Sequence, residues 1–499
     1  MGSRREFLRD VGCAGLALAA SPMAFAEAAN KAEAKNKKER ELAPYEKDPV
    51  RLGFIGCGLM GGQNMRRALQ LGQKITAVCD VDTGAYGFGN AKKYAPDAET
   101  FVDYREMLDK IKGKVDALVI STPDHSHFSI AMSSLNHGFP IYLEKPMCHT
   151  IYQIRELTKL SKQKALTTQM GNMVHSGDGI RITKEWIAAG AIGKVKEVVL
   201  WTCRPLSGCN ERPGGFKQWP PADPIPETLD WDKWQNTATP ATFTKRVVPL
   251  NWRRFFKYGS GSLGDIGCHM IDIPMYALGL GYPSRVTSRQ RGGTHISVPL
   301  QDEVVYYFDS DNQGEKVKLT WYSGFLKPDK NGNWEPGYDK SFLPPLPEEF
   351  TKLGRGYKDL SMDGIFFMGS EGVIYSPTMH LMGKPVLLPK SRWDDIKDSI
   401  RQTEPRIKYT NHFLNFIEGV RSDIKNTTSN FSDMQPLTEV VQLGNLALQS
   451  GEDIYWDWEK MECKGSKRAN DFKILRCAAD GISLFPRKAS LSACGIGID

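Results

Sequence analysis

Residues 51–82 read RLGFIGCGLMGGQNMRRALQLGQKITAVCDVD. A short apolar, partly β-branched run (Leu52 to Ile55) leads into Gly56-Cys57-Gly58-Leu59-Met60-Gly61, and a second apolar run (Ile75 to Cys79) closes on Asp80. No other feature of the chain restricts its fold as much. Continuous apolar runs of this length suit parallel strands buried on both faces. Gly56 permits the tight turn after the first strand, Gly58 lets backbone amides approach a pyrophosphate, and Gly61 lets the next helix sit close to the sheet. That helix would aim unpaired N–H groups and the positive end of its dipole at the phosphates. Asp80 stands 19 residues beyond Gly61, where a carboxylate accepts hydrogen bonds from ribose hydroxyls. A 2′-phosphate would be repelled there and no arginine follows to bind one, so the expected cofactor is NAD rather than NADP. Alone, the glycine pattern also fits a tight turn in another doubly wound fold; the strand, the helix and the acid together select a dinucleotide site.

The βα alternation continues. Val115 to Ser121 is a buried strand ended by Thr122-Pro123, Phe128 to His137 is helical, Ile141 to Leu143 is a strand ended by Glu144-Lys145-Pro146, Ile151 to Lys164 is a helix, and Ala165 to Met170 is the next strand. This predicts a Rossmann-type, doubly wound parallel sheet whose ligands gather at the carboxyl ends of the strands. Gly56, Asp80, Thr122, Lys145 and Asn172 all fall just past strand ends and should share one crevice. After residue 172 the texture changes to strand-like runs separated by turns (Val195 to Thr202, Glu303 to Phe308, Val317 to Tyr322, Gly364 to Met368, Gly372 to Tyr375), with helices Thr183 to Ala189 and His412 to Arg421. The expected fold is α/β, with a C-terminal α+β domain built on a largely antiparallel sheet. Gly208 to Pro249, rich in Pro, Trp and Gly, reads as a long irregular loop of the kind that carries binding function.

The chain opens with Ser3-Arg4-Arg5-Glu6-Phe7-Leu8, the apolar run Val11 to Ala20 and a small-x-small site at Ala24-Phe25-Ala26. This is the pattern of a twin-arginine export signal and predicts a periplasmic or otherwise extracytoplasmic protein beginning at Glu27. No later run approaches the roughly 20 apolar residues of a membrane-spanning helix. The net charge of +7 is inflated by the leader and by the solvated segment Lys31 to Arg40, and no basic stripe with interleaved aromatics recommends nucleic acid. No CxxC pair or clustered Cys/His spacing argues for a metal. The expected boundaries are leader 1–26, linker 27–48, NAD-binding domain 49–171, substrate-binding domain 172–462 and an atypical tail 463–499, aperiodic after Phe472.

A second cluster is Gly264-Asp265-Ile266-Gly267-Cys268-His269-Met270-Ile271-Asp272. In a helix, Asp265 and His269 share a face at i and i+4, so the carboxylate can orient the imidazole. An imidazole so held, opposed by a lysine, can take a hydroxyl proton while hydride leaves the same carbon for nicotinamide. A lone Asp and His at this spacing is more often a helix cap with a satisfied histidine, and a lone lysine more often a surface charge. Lys145 at its strand end is what joins them into a candidate catalytic set.

The combination of Gly56 to Gly61, Thr122-Pro123-Asp124-His125-Ser126-His127, Glu144-Lys145-Pro146 and Asp265-x-x-x-His269 resembles the Gfo/Idh/MocA oxidoreductases over roughly residues 50 to 462. The resemblance implies that Leu59 and Met60 lie against the pyrophosphate and Asp80 holds the adenosine ribose. It further implies that Thr122, Pro123, Asp124, His125 and His127 line the nucleotide, that Glu144 and Lys145 come from the EKP motif, and that Asn172 is a nicotinamide-side contact. Lys145 would reach the nicotinamide ribose and the substrate hydroxyl, His269 would be the base and Asp265 its partner. Trp252 and Arg253 would contact a sugar alongside Asp265 and His269. The leader and the stretch Pro436 to Gly451 further resemble an exported branch of the family. Dimers or tetramers are expected from exposed sheet faces of the second domain.

Three readings follow. The leading one is an NAD-dependent oxidation of a secondary hydroxyl, C3 in a pyranoside, of a sugar or glycoside, with NAD held tightly and reset by a second sugar because export leaves no nucleotide pool. The alternative is glycoside hydrolysis by transient oxidation and elimination; the relative that works this way lacks the EKP lysine, which is present here as Lys145. The third is a binding or sensory protein without chemistry, against which Lys145, Asp265 and His269 stand.

Overall fold

The computed structural model describes residues 48–206, 216–377, 385–407 and 411–472; the expected leader, the linker up to residue 47 and the tail after Phe472 lie outside the described residues. Strands β1 (Arg51–Ile55), β2 (Lys74–Cys79), β3 (Glu99–Phe101), β4 (Ala117–Ile120), β5 (Ile141–Leu143) and β6 (Thr168–Met170) form one parallel sheet in the order β3-β2-β1-β4-β5-β6. The order reverses between β1 and β4, which opens a crevice at their carboxyl ends. Helices Leu59–Gln70, Asp124–Asn136 and Ile151–Lys164 make the crossovers around it.

Local chemistry explains where observed and expected elements part. The helix expected from Phe128 begins at Asp124, because Pro123 caps it in an extended conformation and an acid suits its first turn. The strand expected from Ala165 begins at Thr168, because Ala165 adopts a left-handed conformation to end helix Ile151–Lys164. β3 and the short helices Phe88–Tyr94 and Tyr104–Lys110 were not anticipated; β3 has three residues, two of them exposed, and so no apolar run to betray it.

A second sheet of nine strands follows: β7 (Val195–Thr202), β8 (Arg285–Arg291), β9 (Gln301–Phe308), β10 (Val317–Ser323), β11 (Asp363–Gly369), β12 (Val373–Ser376), β13 (Val386–Leu388), β14 (Ile454–Asp457) and β15 (Glu462–Cys463). Their order is β13-β12-β11-β7-β10-β9-β8-β14-β15, antiparallel except between β7 and β10. The fold is the expected α/β sheet plus an α+β part with a mostly antiparallel sheet. β8, RVTSRQR, is polar over most of its length and escapes an apolar reading.

One face of the second sheet packs on helix Phe431–Ser450. Gly444 is required there, since a Cβ at that position would lie 2.1 Å from the Tyr306 hydroxyl. On the other face, Val199, Trp201, Phe366 and Tyr375 are covered by Phe325, Phe350 and Leu360 from the chain between β10 and β11. The exposed sheet face expected to pair subunits is, over that area, already covered by the chain itself. The first sheet borrows in turn: Phe413, Leu414, Phe416 and Ile417 of helix His412–Arg421 share an apolar cluster with Leu52, Phe54, Val119 and Tyr142. The described part of the Pro- and Trp-rich segment is also packed, with a helix at Trp231–Gln235 and an aromatic cluster of Trp231, Phe243, Phe255 and Tyr258.

Arg155 of helix Ile151–Lys164 grips Glu439 of helix Phe431–Ser450 with two hydrogen bonds, 2.9 and 2.8 Å, and Glu439 is fully buried. Removing the guanidinium strands a buried carboxylate, which costs about 3 kcal/mol. Arg155→Ala should therefore lower the denaturation midpoint markedly, and an unchanged midpoint would contradict this account of how the two sheets are locked.

Candidate active site

The nucleotide end is built from backbone. Gly56 has a φ of 87°, and a Cβ at Gly61 would lie 2.0 Å from the Gly56 carbonyl, so neither position admits a side chain. At Gly58 the space is open, with a Tyr86 ring carbon 3.9 Å from a would-be Cβ as the nearest atom. Leu59, 44 % exposed, heads the helix beside it, and Met60 is partly exposed. Past β4, the Thr122 hydroxyl is buried without a protein partner. An open cradle at a helix N-terminus, an exposed apolar residue and an orphaned hydroxyl along one crevice fit a pyrophosphate and its nucleosides.

Asp80 ties this loop to the end of β2, its carboxylate accepting from the N–H of Cys57 (2.7 Å) and of Asp82 (2.9 Å). Asp80 is half-buried, and desolvation at the strand end raises its carboxyl to about 6 against the pull of those amides. Glu144 is buried and accepts from Asn64 Nδ2 at 2.9 Å, which links β5 to the glycine-loop helix.

Asp124, His125 and His127, expected to line the nucleotide, turn their side chains to protein groups. Asp124 accepts from Arg253 Nη1 (3.1 Å) and from the N–H of Ser260 (3.0 Å). His125 packs against Trp234 and Tyr258 with its Nε2 2.9 Å from the Trp234 carbonyl, and His127 lies between the carbonyls of Thr122 and Pro146. The reason is the earlier helix start, which turns these residues into the interior.

The other end of the crevice centres on Lys145, which donates to both the carboxylate Oδ1 (2.8 Å) and the backbone carbonyl (2.7 Å) of Asp265. Arg253 Nε lies 3.6 Å from the same Oδ1, and the Arg253 guanidinium stacks over Trp252 at 4.3 Å. Burial would raise the Asp265 carboxyl, but the charges of Lys145, Arg253 and Arg204 outweigh it and hold it well below the usual carboxylate range. His269 is buried on the same segment, and its Nδ1 meets Asn172 Oδ1 at 2.8 Å.

Two expected roles change. Asp265, expected to orient His269, stands in a π-helix at 263–267 and is engaged by Lys145 and Arg253. Asn172, expected as a nicotinamide-side contact, is fully buried and bonds Nδ1 of His269. Sequence reasoning also missed a strap. Thr83 N–H donates to the Thr228 carbonyl (2.8 Å), Asp230 N–H to the Val81 carbonyl (2.9 Å), and Asn236 Nδ2 to Ser129 Oγ (2.7 Å). Residues 228–236 thus run from the end of β2 to the helix after β4, the two strands that flank β1 and its glycine loop.

Residues 50–172 match the Gfo/Idh/MocA model described as an oxidoreductase family with an NAD-binding Rossmann fold, and residues 214–290 match that family's C-terminal alpha/beta domain. An inositol 2-dehydrogenase of Burkholderia multivorans is 28% identical over 29% of this chain and 43% of its own length. A glycosyl hydrolase family 109 protein of Shewanella pealeana is 24% identical over 39% of this chain and 44% of its own. The chain therefore spans less than half the length of these curated relatives. The WlbA dehydrogenase of Bordetella pertussis, solved in complex with NADH and UDP-GlcNAcA, shares the fold, with a TM-score of 0.53 at 14% identity over 82% of this chain and 99% of that one. The cofactor is NAD.

Ribose hydroxyls donate to a carboxylate better than to a carboxylic acid. Because the free Asp80 carboxyl sits near 6, NAD affinity should fall as pH drops through about 6 and level off above it. Calorimetric titration across that range checks this, and Asp80→Asn should bind more weakly with the step removed; a wild-type affinity that ignores pH would refute the assignment.

Proposed function

We propose that this chain, with its two segments matching the Gfo/Idh/MocA oxidoreductases, oxidises a secondary hydroxyl of a sugar or glycoside, at C3 of a pyranoside ring. The observation that carries the reading is the Lys145 ammonium fixed at two points on Asp265, on the segment that also presents the buried His269. Bound NAD supplies the hydride acceptor. His269 takes the hydroxyl proton, and Lys145 stabilises the developing alkoxide. Asp265 positions Lys145, while Trp252 and Arg253 offer a ring face and a cation to the sugar.

Lys145→Ala should lower turnover by about 10²–10⁴-fold. Mass spectrometry of a panel of sugars and glycosides tests the reaction itself, with loss of two hydrogens expected. Free sugar plus aglycone with no net redox would replace this reading with redox-assisted hydrolysis, the second reading, which the glycosyl hydrolase family 109 match favours.

The reading includes export by the twin-arginine route, resting on Arg4-Arg5 and the apolar run after them, and NAD that stays bound and is reset by a second sugar. What supports retention is the strap fastened on both sides of the glycine loop. Trp231 stacks on Trp234 within it, 4.8 Å between ring centres, so Trp231→Ala should release NAD faster in a gel-filtration or stopped-flow assay. Protein recovered from the cytoplasmic fraction, or purified free of nucleotide and active only with exchanging NAD, would overturn this part.

A further inference from the structure

Behind His269 lies a chain of buried polar groups. Asn172 turns Oδ1 to Nδ1 of His269 (2.8 Å) and Nδ2 to Oδ2 of Asp272 (2.9 Å). Asp272 also meets Nδ1 of His175, 2.8 Å from Oδ2 and 3.0 Å from Oδ1, and all four residues are buried. Hydrogen-bond chemistry gives this chain a direction. A carboxylate only accepts, so the amide must present its NH₂ to Asp272 and its carbonyl to His269. A carbonyl also only accepts, so Nδ1 of His269 must carry the hydrogen.

We infer that Asp272, acting through Asn172, sets the tautomer of His269 and makes Nε2 its basic nitrogen. The inference rests on the proposed dehydrogenase reading only in giving that nitrogen the substrate proton; the tautomer itself is a property of the protein alone. Asp272 and Asn172 are positioning residues in this scheme, and His269 is the catalytic one. The arrangement follows the general rule that the group bonded to one ring nitrogen decides which nitrogen carries the hydrogen and which is basic.

Two substitutions with opposite expected outcomes test it. Asp272→Asn keeps the shape, and with its carbonyl on His175 and its NH₂ toward Asn172 it lets Asn172 reverse, present its NH₂ to Nδ1 and move the hydrogen of His269 to Nε2. Asn172→Asp keeps an acceptor toward Nδ1 whether or not the new carboxyl is ionised, and so preserves the tautomer. Nitrogen NMR of protein labelled in its nine histidines reads this directly, the His269 signals being identified by their loss in His269→Gln.

In the wild type and in Asn172→Asp, Nε2 should be unprotonated at neutral pH; in Asp272→Asn it should be protonated. Turnover in Asp272→Asn should fall by about 10²–10⁴-fold, with KM for the sugar and NAD affinity nearly unchanged. A hydrogen on Nε2 with none on Nδ1, in the wild type or in Asn172→Asp, overturns the inference. Should Asp272→Asn not fold, the first two proteins still decide it. If the wild type gives the expected tautomer but oxidises no sugar, the functional reading fails and this inference stands.

Discussion

The bond between Lys145 and Asp265 is the constraint on which the site depends. Lys145 follows β5 of the parallel sheet and Asp265 belongs to the segment between β7 and β8 of the second sheet, so this contact fixes how the two halves of the crevice face each other. A buried ion pair is weak evidence of stability, because desolvating two charges offsets most of their attraction. Its value here is positional. The ammonium is held by the carboxylate and by the carbonyl of one residue, which stands in the π-helix at 263–267. Arg253, bonded to Asp124 and close to Asp265, makes a second crossing at the same level.

The far side of the molecule carries the complementary lock. Arg155 and Glu439 join the helix after β5 to the long helix under the second sheet, and helix His412–Arg421 completes the apolar face of the first sheet. The two sheets thus share structure on both sides of the crevice rather than meeting through a single linker. The proposed reaction draws on Lys145 and His269, which come from different halves, and would need that rigidity.

Much of this was legible in the sequence because it is local. The glycine loop, Asp80 at its strand end, helix Ile151–Lys164 and strand Val195–Thr202 each announce themselves through a periodicity or a spacing. The positions of Lys145 and His269 were legible as motifs, but their partners were not. Asp265 and His269 look paired at helical spacing, but Asp265 meets a lysine 120 positions away, beyond any local pattern. Asn172 reaches His269 across 97 positions of sequence, beyond any local pattern, although Asp272 three residues after His269 was a signal that helical spacing offered. The strap stayed hidden because a Pro- and Trp-rich stretch has no period; its order comes from aromatic rings packing on one another.

The covering of the second sheet by Phe325, Phe350 and Leu360 has a thermodynamic meaning of its own. Apolar area buried between separate chains contributes stability that rises with protein concentration, whereas area buried within one chain does not. This part of the sheet is sealed by a segment tethered at both ends to its own strands, at an effective concentration that dilution cannot lower. The burial of that face is therefore the same in a dilute compartment as in a crowded one.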